Sequence, residues 1–214
     1  VISVLLVDDH KIIRAGLAAL INLKADMRVV GEASDGAAAI ELCRQLRPDV
    51  ITLDLSMPGM SGWQTTGALI REFPRCRILI VTSLVGDEDV YRALEAGALG
   101  YVLKEADGDE LTQAIRNTHA GLRMLPRAVV SKLEQRLAFD PLTARELDVL
   151  RLIATGMTNR DAGSRLGLSE QTVKGYVKSI TGKLGVADRT AATILALRRG
   201  LIHLEEIPPD RTNP

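Results

Sequence analysis

Aromatic residues are scarce. One Trp, three Tyr and two Phe make up 3% of the 214 residues, against a hydrophobic fraction of 46%. Any core must therefore be aliphatic. Cysteine is almost missing too. Cys43 and Cys76 stand far apart and in no metal-ligand spacing, which speaks against a disulfide scaffold. Reduced, structural thiols in a cytoplasmic protein are the expectation. No apolar run approaches the ~18–20 residues of a membrane span, so no membrane partner is expected. No basic-then-apolar leader opens the chain, and no secretory signal is expected.

Net charge is also lacking, at zero overall. It is unevenly spread, however. Residues 1–122 carry 12 Lys+Arg and 17 Asp+Glu, net −5, whereas residues 123–214 carry 15 and 10, net +5. An acidic module followed by a basic one that could meet nucleic acid is implied. The length also suits two modest domains.

What is present is strand–helix alternation. Residues 2–7, 27–33, 50–53, 78–81 and 101–103 are short apolar runs, and each is followed by a helical pattern. Five such repeats in ~120 residues predict a parallel sheet covered on both faces, with right-handed crossovers. The stretch VITLDLSMPG at 50–59 organises the rest. Val50 to Leu53 predicts a strand buried on both faces. Asp54 stands at its carboxyl end, where open α/β sheets bind ligands, and Met57-Pro58-Gly59 breaks the chain. A helix-capping or turn aspartate is the plain alternative. Against it, four of the five strands end in polar groups: Asp8 and Asp9, Asp54, Thr82, and Lys104. Three carboxylates at one sheet edge repel one another and want a hard divalent cation such as Mg²⁺. A carboxylate can accept a phosphoryl group as an acyl phosphate. The cation and the Lys104 ammonium would offset phosphoryl charge, and Thr82 could donate to the same oxygens. A hydrolase of the aspartyl-phosphate type uses similar parts. It would normally need a further acid/base group and a substrate cap, and neither is visible.

VDD at 7–9, LDLSMPGMSG at 53–62, Thr82-Ser83 and AGALGYVLK at 96–104 resemble the receiver domain of bacterial two-component response regulators. The resemblance implies a flavodoxin-like sheet of strand order 2-1-3-4-5. It also implies phosphorylation at Asp54, and Mg²⁺ held by Asp8, Asp9, Asp54 and the Ser56 carbonyl. Thr82 and Tyr101 would form a switch pair beside Lys104. Glu105 departs from the proline that many receivers carry there.

Residues 123–141 are expected to be a linker containing one short helix, with Val129, Val130, Leu133 and Leu137 on one side. From Leu142 the pattern is helical throughout. Thr143 and Glu146 have capping-box spacing. Leu147, Leu150, Ile153 and Ala154 mark a buried face. Asn159 to Leu166 and a long helix after Ser169, separated by a turn at Gly167, read as a helix-turn-helix. Val173, Val177, Ile180 and Leu184 form the long helix's apolar stripe. Gln171, Gly175, Lys178, Ser179 and Gly182 then point outward, with Lys174 on the flank. Such a face suits phosphates and base edges, although an ordinary solvated face has the same composition. Asp188 starts a last helix carrying Ala191, Ile194, Leu195 and Leu197.

The run from LTARELDVLRLI at 142–153 to LRRGLI at 197–202, including TVK at 172–174 and KLGV at 183–186, resembles the DNA-binding domain of LuxR/NarL-type regulators. That resemblance implies double-stranded DNA as partner, with Gln171, Thr172, Lys174, Gly175, Lys178, Ser179 and Lys183 at the interface. Three departures stand out: Ala162-Gly163, Tyr176 where His is usual, and glycines at 175 and 182. An interior helix glycine costs about 0.8–1 kcal/mol relative to Ala, so a loose recognition helix that DNA tightens is expected.

The whole chain is thus expected to be a NarL/FixJ-type response regulator: receiver 1–122, linker 123–141, helix-turn-helix domain 142–205 and a tail 206–214 with disorder as its default. It would not be an enzyme beyond its own phosphoryl transfer and dephosphorylation. A cognate histidine kinase and homodimerisation on activation are implied. Two other classes remain open at this stage. One is a transcription factor whose receiver is only a dimerisation scaffold. The other is a signalling protein acting through protein contacts alone.

Overall fold

The computed structural model describes residues 1–83, 86–137 and 139–203. The expected tail at 206–214 lies outside the described residues. Among the described residues, 1–83 and 89–132 form one compact unit, and 86–88 with 133–203 form the second.

The first unit alternates strand and helix in the expected order. Its elements are β1 (Ile2–Val7), α1 (Lys11–Asn22), β2 (Met27–Ala33), α2 (Gly36–Leu46), β3 (Val50–Leu53), α3 (Gly62–Glu72), β4 (Ile78–Thr82), α4 (Asp87–Glu95), β5 (Gly100–Leu103) and α5 (Gly108–His119). The sheet order is β2-β1-β3-β4-β5, and every pairing is parallel. β3 and β4 are buried along their whole length. Helices on both faces leave no side of these strands wet, so their sequences are continuous apolar runs rather than alternating ones. Gly31, inside β2, sits where the β1–β2 register shifts. A Cβ there would lie 2.6 Å from a Leu46 methyl, so glycine lets α2 pack down on the edge strand.

The register brings the strand ends level. Val7 pairs with Leu53 and Thr82 with Leu103. The residues that follow, Asp8, Asp54 and Lys104, therefore emerge at one edge. Because β1 lies between β2 and β3, the crossovers to its two neighbours leave the sheet on opposite faces. The crevice between those crossovers opens at this edge.

Beyond α5 the linker is partly ordered. Met124 forms an isolated parallel bridge with Gly100 at the edge of β5, and the Tyr101 N–H donates to the Met124 carbonyl at 3.3 Å. α6 (Arg127–Leu137) follows. Its expected apolar side is only partly covered: Val129 is buried, but Val130 and Leu137 are exposed.

The second unit holds α7 (Ala144–Ala154), α8 (Asn159–Leu166), α9 (Glu170–Leu184) and α10 (Arg189–Arg199). Thr143, Thr158, Ser169 and Asp188 cap them with side-chain acceptors, and Thr143 with Glu146 forms a complete capping box. Gly167 turns the chain between α8 and α9 at φ +67°, a conformation that glycine adopts without a Cβ penalty. Two expected faces need correction. α7 also buries Val149 and Leu152, because its core-facing arc is wider than one stripe. α10 buries Ala192 and Ala196 and leaves Ile194 51% exposed. Leu195 and Leu197 pack partly buried against the same core, so of the expected large residues only Ile194 faces outward.

α9 runs unbroken through Gly175 and Gly182, and a Cβ at either would meet nothing within 4 Å. We expect Gly175→Ala and Gly182→Ala each to stabilise this unit by about 0.5–1 kcal/mol, since only chain entropy changes. Thermal melts of the two variants check this, and a lowered midpoint would show a strain the structure does not contain.

Candidate functional site

The acidic edge is built from backbone outward. The Asp54 N–H donates to the Val7 carbonyl at 2.9 Å, and the Asp8 N–H to the Ala33 carbonyl at 3.1 Å. Both aspartates are thus anchored by sheet hydrogen bonds at the point where the strands stop. Below Asp54, the α3 N-terminus presses against the same loop. A Cβ on Gly62 would lie 2.2 Å from the Asp54 carbonyl oxygen and 2.6 Å from Leu55 Cα, so only glycine permits this approach.

The ends of β1 and β3 meet here. One ligand atom from each of Asp8, Asp9, His10 and Asp54 lies within 4.8 Å of the others. The Asp8 and Asp54 side chains are 3% exposed, and that of Asp9 is 28% exposed. Lys104 reaches in from β5 and is 9% exposed at its side chain. Its Nζ lies 2.6 Å from Asp54 Oδ2 and 2.7 Å from Asp8 Oδ2. Burial works against its charged form, but the hydrogen bonds it donates to Asp54 and Asp8 outweigh this and hold its pKa above the ordinary lysine value. The ammonium stays protonated and ties two carboxylates together. Thr82 is 1% exposed and Tyr101 is 2% exposed, on the strands flanking this edge. Burial pushes the Tyr101 phenol well above its usual pKa. The Ser56 N–H donates to Asp54 Oδ1 at 3.4 Å.

His10 is a residue that the pattern of strand ends does not single out. Its Nδ1 is 2.8 Å from Asp9 Oδ1, and its N–H donates to Asp8 Oδ1 at 2.8 Å. Its position directly after the acidic pair is the only signal of this in the sequence. Three carboxylates with one imidazole form an oxygen-rich donor set that fits a hard divalent ion.

In the second unit, Gln171, Thr172, Lys174, Gly175, Lys178 and Ser179 are all exposed on α9, and Lys183 is half-buried. Not all of them are equally available. Ser169 Oγ, the cap of α9, accepts the Thr172 N–H at 3.1 Å and lies 2.8 Å from its hydroxyl. Ser179 Oγ donates to Glu146 Oε1 at 2.7 Å, and Lys183 Nζ donates to Glu146 Oε2 at 2.8 Å. Glu146, on α7, is buried. Burial alone would raise its pKa, but the hydrogen bonds from Lys183, Thr143 and Ser179 bring it down to about 2. One carboxylate therefore caps α7 and pins α9 to it. Tyr176 packs against the unit's core.

Comparison with known proteins agrees with both halves. Residues 4–116 match the response regulator receiver domain, and residues 140–196 match the bacterial regulatory proteins of the luxR family. The chain is 41% identical over 210 residues to the transcriptional regulatory protein LiaR of Bacillus subtilis, covering 94% of this chain and 100% of that protein. It is also similar to the crystal structure of ChrA, the response regulator of a heme-sensing two-component system. Identity there is 39% and the TM-score 0.58, over 94% of this chain and 98% of that one. A third likeness is to RcsB from Salmonella enterica serovar Typhimurium bound to a promoter in the presence of phosphomimetic BeF3⁻. Identity is 28% and the TM-score 0.71, over 92% of this chain and 98% of that one. Among the described residues, no helix is long and apolar enough to cross a membrane. A receiver sheet with an acidic edge and a LuxR-type helix-turn-helix in one chain identify it as a member of the two-component response regulators that regulate transcription through DNA binding.

Proposed function

We propose that Asp54 is the phosphoacceptor, and that its phosphorylation controls self-association and DNA binding. One observation carries this: the Lys104 ammonium lies 2.6 Å from Asp54 and 2.7 Å from Asp8 at the edge where the acidic residues converge. Asp54 Oδ would attack the phosphorus of a donor, either a phosphohistidine on a partner kinase or a small acyl phosphate. The donor's leaving group departs and an acyl phosphate forms on Asp54. Lys104 then exchanges a carboxylate oxygen for a phosphoryl oxygen and keeps its charge paired. Asp8, Asp9, Asp54 and the Ser56 carbonyl would hold Mg²⁺. When bound, that ion neutralises charge on the phosphoryl oxygens.

Thr82, paired with Leu103 just before Lys104, donates its hydroxyl to the new group, and Tyr101 on the neighbouring strand responds. Rearrangement of that face favours a homodimer. Residues 1–122 are then the phosphoacceptor module, 123–141 the linker and 142–205 the DNA-binding module. Gln171, Lys174, Gly175 and Lys178 form the outward surface that meets phosphates and base edges, with Thr172, Ser179 and Lys183 beside them. Two copies would read paired half-sites on double-stranded DNA in the cytoplasm, with an affinity that falls as salt rises.

Light scattering on the full chain tests this, first alone and then with Mg²⁺ and beryllofluoride. A shift from monomer to dimer, together with tighter DNA binding under the same conditions, is expected. An unchanged mass with unchanged DNA affinity would overturn the switch and leave the receiver as a scaffold.

A further inference from the structure

Arg14 stands one turn into α1, and the phosphoryl switch described above makes no use of it. Its side chain is only 14% exposed, low for a residue type that is mostly exposed. Its Nη1 donates to the Asp8 carbonyl at 2.6 Å, a short, charge-assisted bond. Its Nε donates to Glu32 Oε2 at 3.3 Å. Glu32 lies on β2, paired with Leu6 of β1, and the next residue, Ala33, accepts the Asp8 N–H. The guanidinium therefore bridges β2 and the carboxyl end of β1. The Arg14 N–H donates to the His10 carbonyl at 3.0 Å, which fixes the point on α1 from which the side chain reaches back.

These contacts act on one peptide unit. The Asp8 carbonyl and the Asp9 N–H share a rigid plane, so a bond on that carbonyl sets the tilt of the plane. The rest of Asp8 is held already. Its N–H is bound to Ala33, and its carboxylate accepts from the His10 N–H and lies 2.7 Å from Lys104 Nζ. Asp9 is less restrained. It is half-buried, and the imidazole beside it, His10, is exposed. The direction of its carboxylate is thus left to the backbone. We propose that Arg14 is a positioning residue that clamps the Asp8–Asp9 peptide and so aims the Asp9 carboxylate at the divalent-ion site. This rests on the reading of Asp8, Asp9 and Asp54 as Mg²⁺ ligands. Arg14 itself would touch neither the ion nor the phosphoryl group.

Stability does not account for the arrangement. Glu32 is exposed, and ion pairs open to water stabilise little. Nor does charge, since a cation close to a Mg²⁺ site repels the ion. Glu32 offsets that charge, so the clamp acts with less repulsion. The two effects differ in sign. Charge alone makes the loss of Arg14 tighten Mg²⁺ binding, whereas the clamp makes it weaken.

The experiment titrates MgCl₂ into the full-length chain by calorimetry, with Arg14→Met and Arg14→Lys alongside. Met keeps the bulk of the stem and removes every donor. Its Kd for Mg²⁺ should rise about tenfold, the lower end of what losing a bond behind a metal ligand costs. The Mg²⁺ concentration that half-saturates phosphoryl uptake from acetyl phosphate should rise by the same factor. Lys keeps the charge, but its compact ammonium cannot span acceptors on two elements as the planar fork does. Its Kd should fall between the other two. Thermal melts without Mg²⁺ show whether each variant folds. A folded Arg14→Met that binds Mg²⁺ as tightly as the parent, or more tightly, overturns the proposal. If Arg14→Met does not fold, parent-like affinity in Arg14→Lys overturns it. A parent chain that itself takes up no Mg²⁺ overturns the metal reading, and the clamp with it.

Discussion

An Asp54→Ala chain should take up no phosphoryl group from acetyl phosphate or from a phosphorylated kinase, while its fold survives. Two facts separate the two halves of that expectation. Uptake requires a carboxylate oxygen where the β3 strand ends, and no other acid is placed to replace it. Asp8 already holds Lys104 at 2.7 Å, and Asp9 faces His10 at 2.8 Å. Stability should nonetheless persist. Removing one partner of a buried ion pair usually costs about 3–5 kcal/mol, because a charge is stranded. Here the Lys104 ammonium keeps Asp8, and the variant loses one of three mutually repelling carboxylates. The melting temperature of the receiver should stay level or rise slightly. Radiolabel uptake and a thermal melt on the same sample decide it. Stoichiometric labelling of the variant would remove Asp54 from its role, whereas a collapsed melt would show that the carboxylate is structural.

Glu146→Ala should destabilise the DNA-binding unit by about 3 kcal/mol, the largest stability effect expected in this half. The change removes a capping-box acceptor, worth about 1 kcal/mol. It also removes the bonds from Ser179 and Lys183 that fasten α9 to α7. For so small a unit, a loss of this size lowers the melting point by more than about 10 °C. The sign of the pH dependence follows from a carboxylate held at about 2, below its ordinary value of 4.5. Its contribution is complete above about pH 4.5 and disappears as pH falls toward 2. The parent protein should therefore lose stability over that window, while Glu146→Ala should show a flatter profile. The only tryptophan is Trp63 in α3, so circular dichroism rather than fluorescence should follow this transition. Equal acid sensitivity in both chains would show that Glu146 is not the titrating group. Under the proposed function, Glu146→Ala should also weaken DNA binding. Ser179 and Lys183 share α9 with the outward residues, and releasing them should loosen the helix that carries Lys174 and Lys178.

Much of this was legible before any coordinates. Apolar runs of three to seven residues, each followed by a helical pattern, implied a parallel sheet with both faces covered. Polar residues at the strand ends implied a shared edge. These signals are local, because a strand buried on both faces must be apolar throughout and a chain leaving a sheet needs a turn. The capping box at Thr143 and Glu146 and the helix start at Asp188 were readable for the same reason: each cap satisfies backbone N–H groups within three residues of itself.

The face of α10 was only partly readable. Leu195 and Leu197 pack against the core, but Ile194 is exposed while Ala192 and Ala196 are buried. Periodicity reports which positions are apolar, while the depth of approach depends on the helices opposite. The ties from Glu146 to Ser179 and Lys183 were equally hidden, since a capping box already explains a glutamate at that position.

By itself, then, the sequence determined the order of elements, a parallel sheet covered on both faces and the set of acidic, hydroxyl and ammonium groups at its edge, whereas the strand order was implied only by the family resemblance. The first three follow from local periodicity or from the rule that parallel strands end together. Only the tertiary structure decided which distant groups touch. It placed Lys104 between Asp8 and Asp54, added His10 to the cluster and fastened α9 to Glu146. Side chains fifty residues apart meet through register and packing, and neither leaves a mark at the positions of the residues themselves.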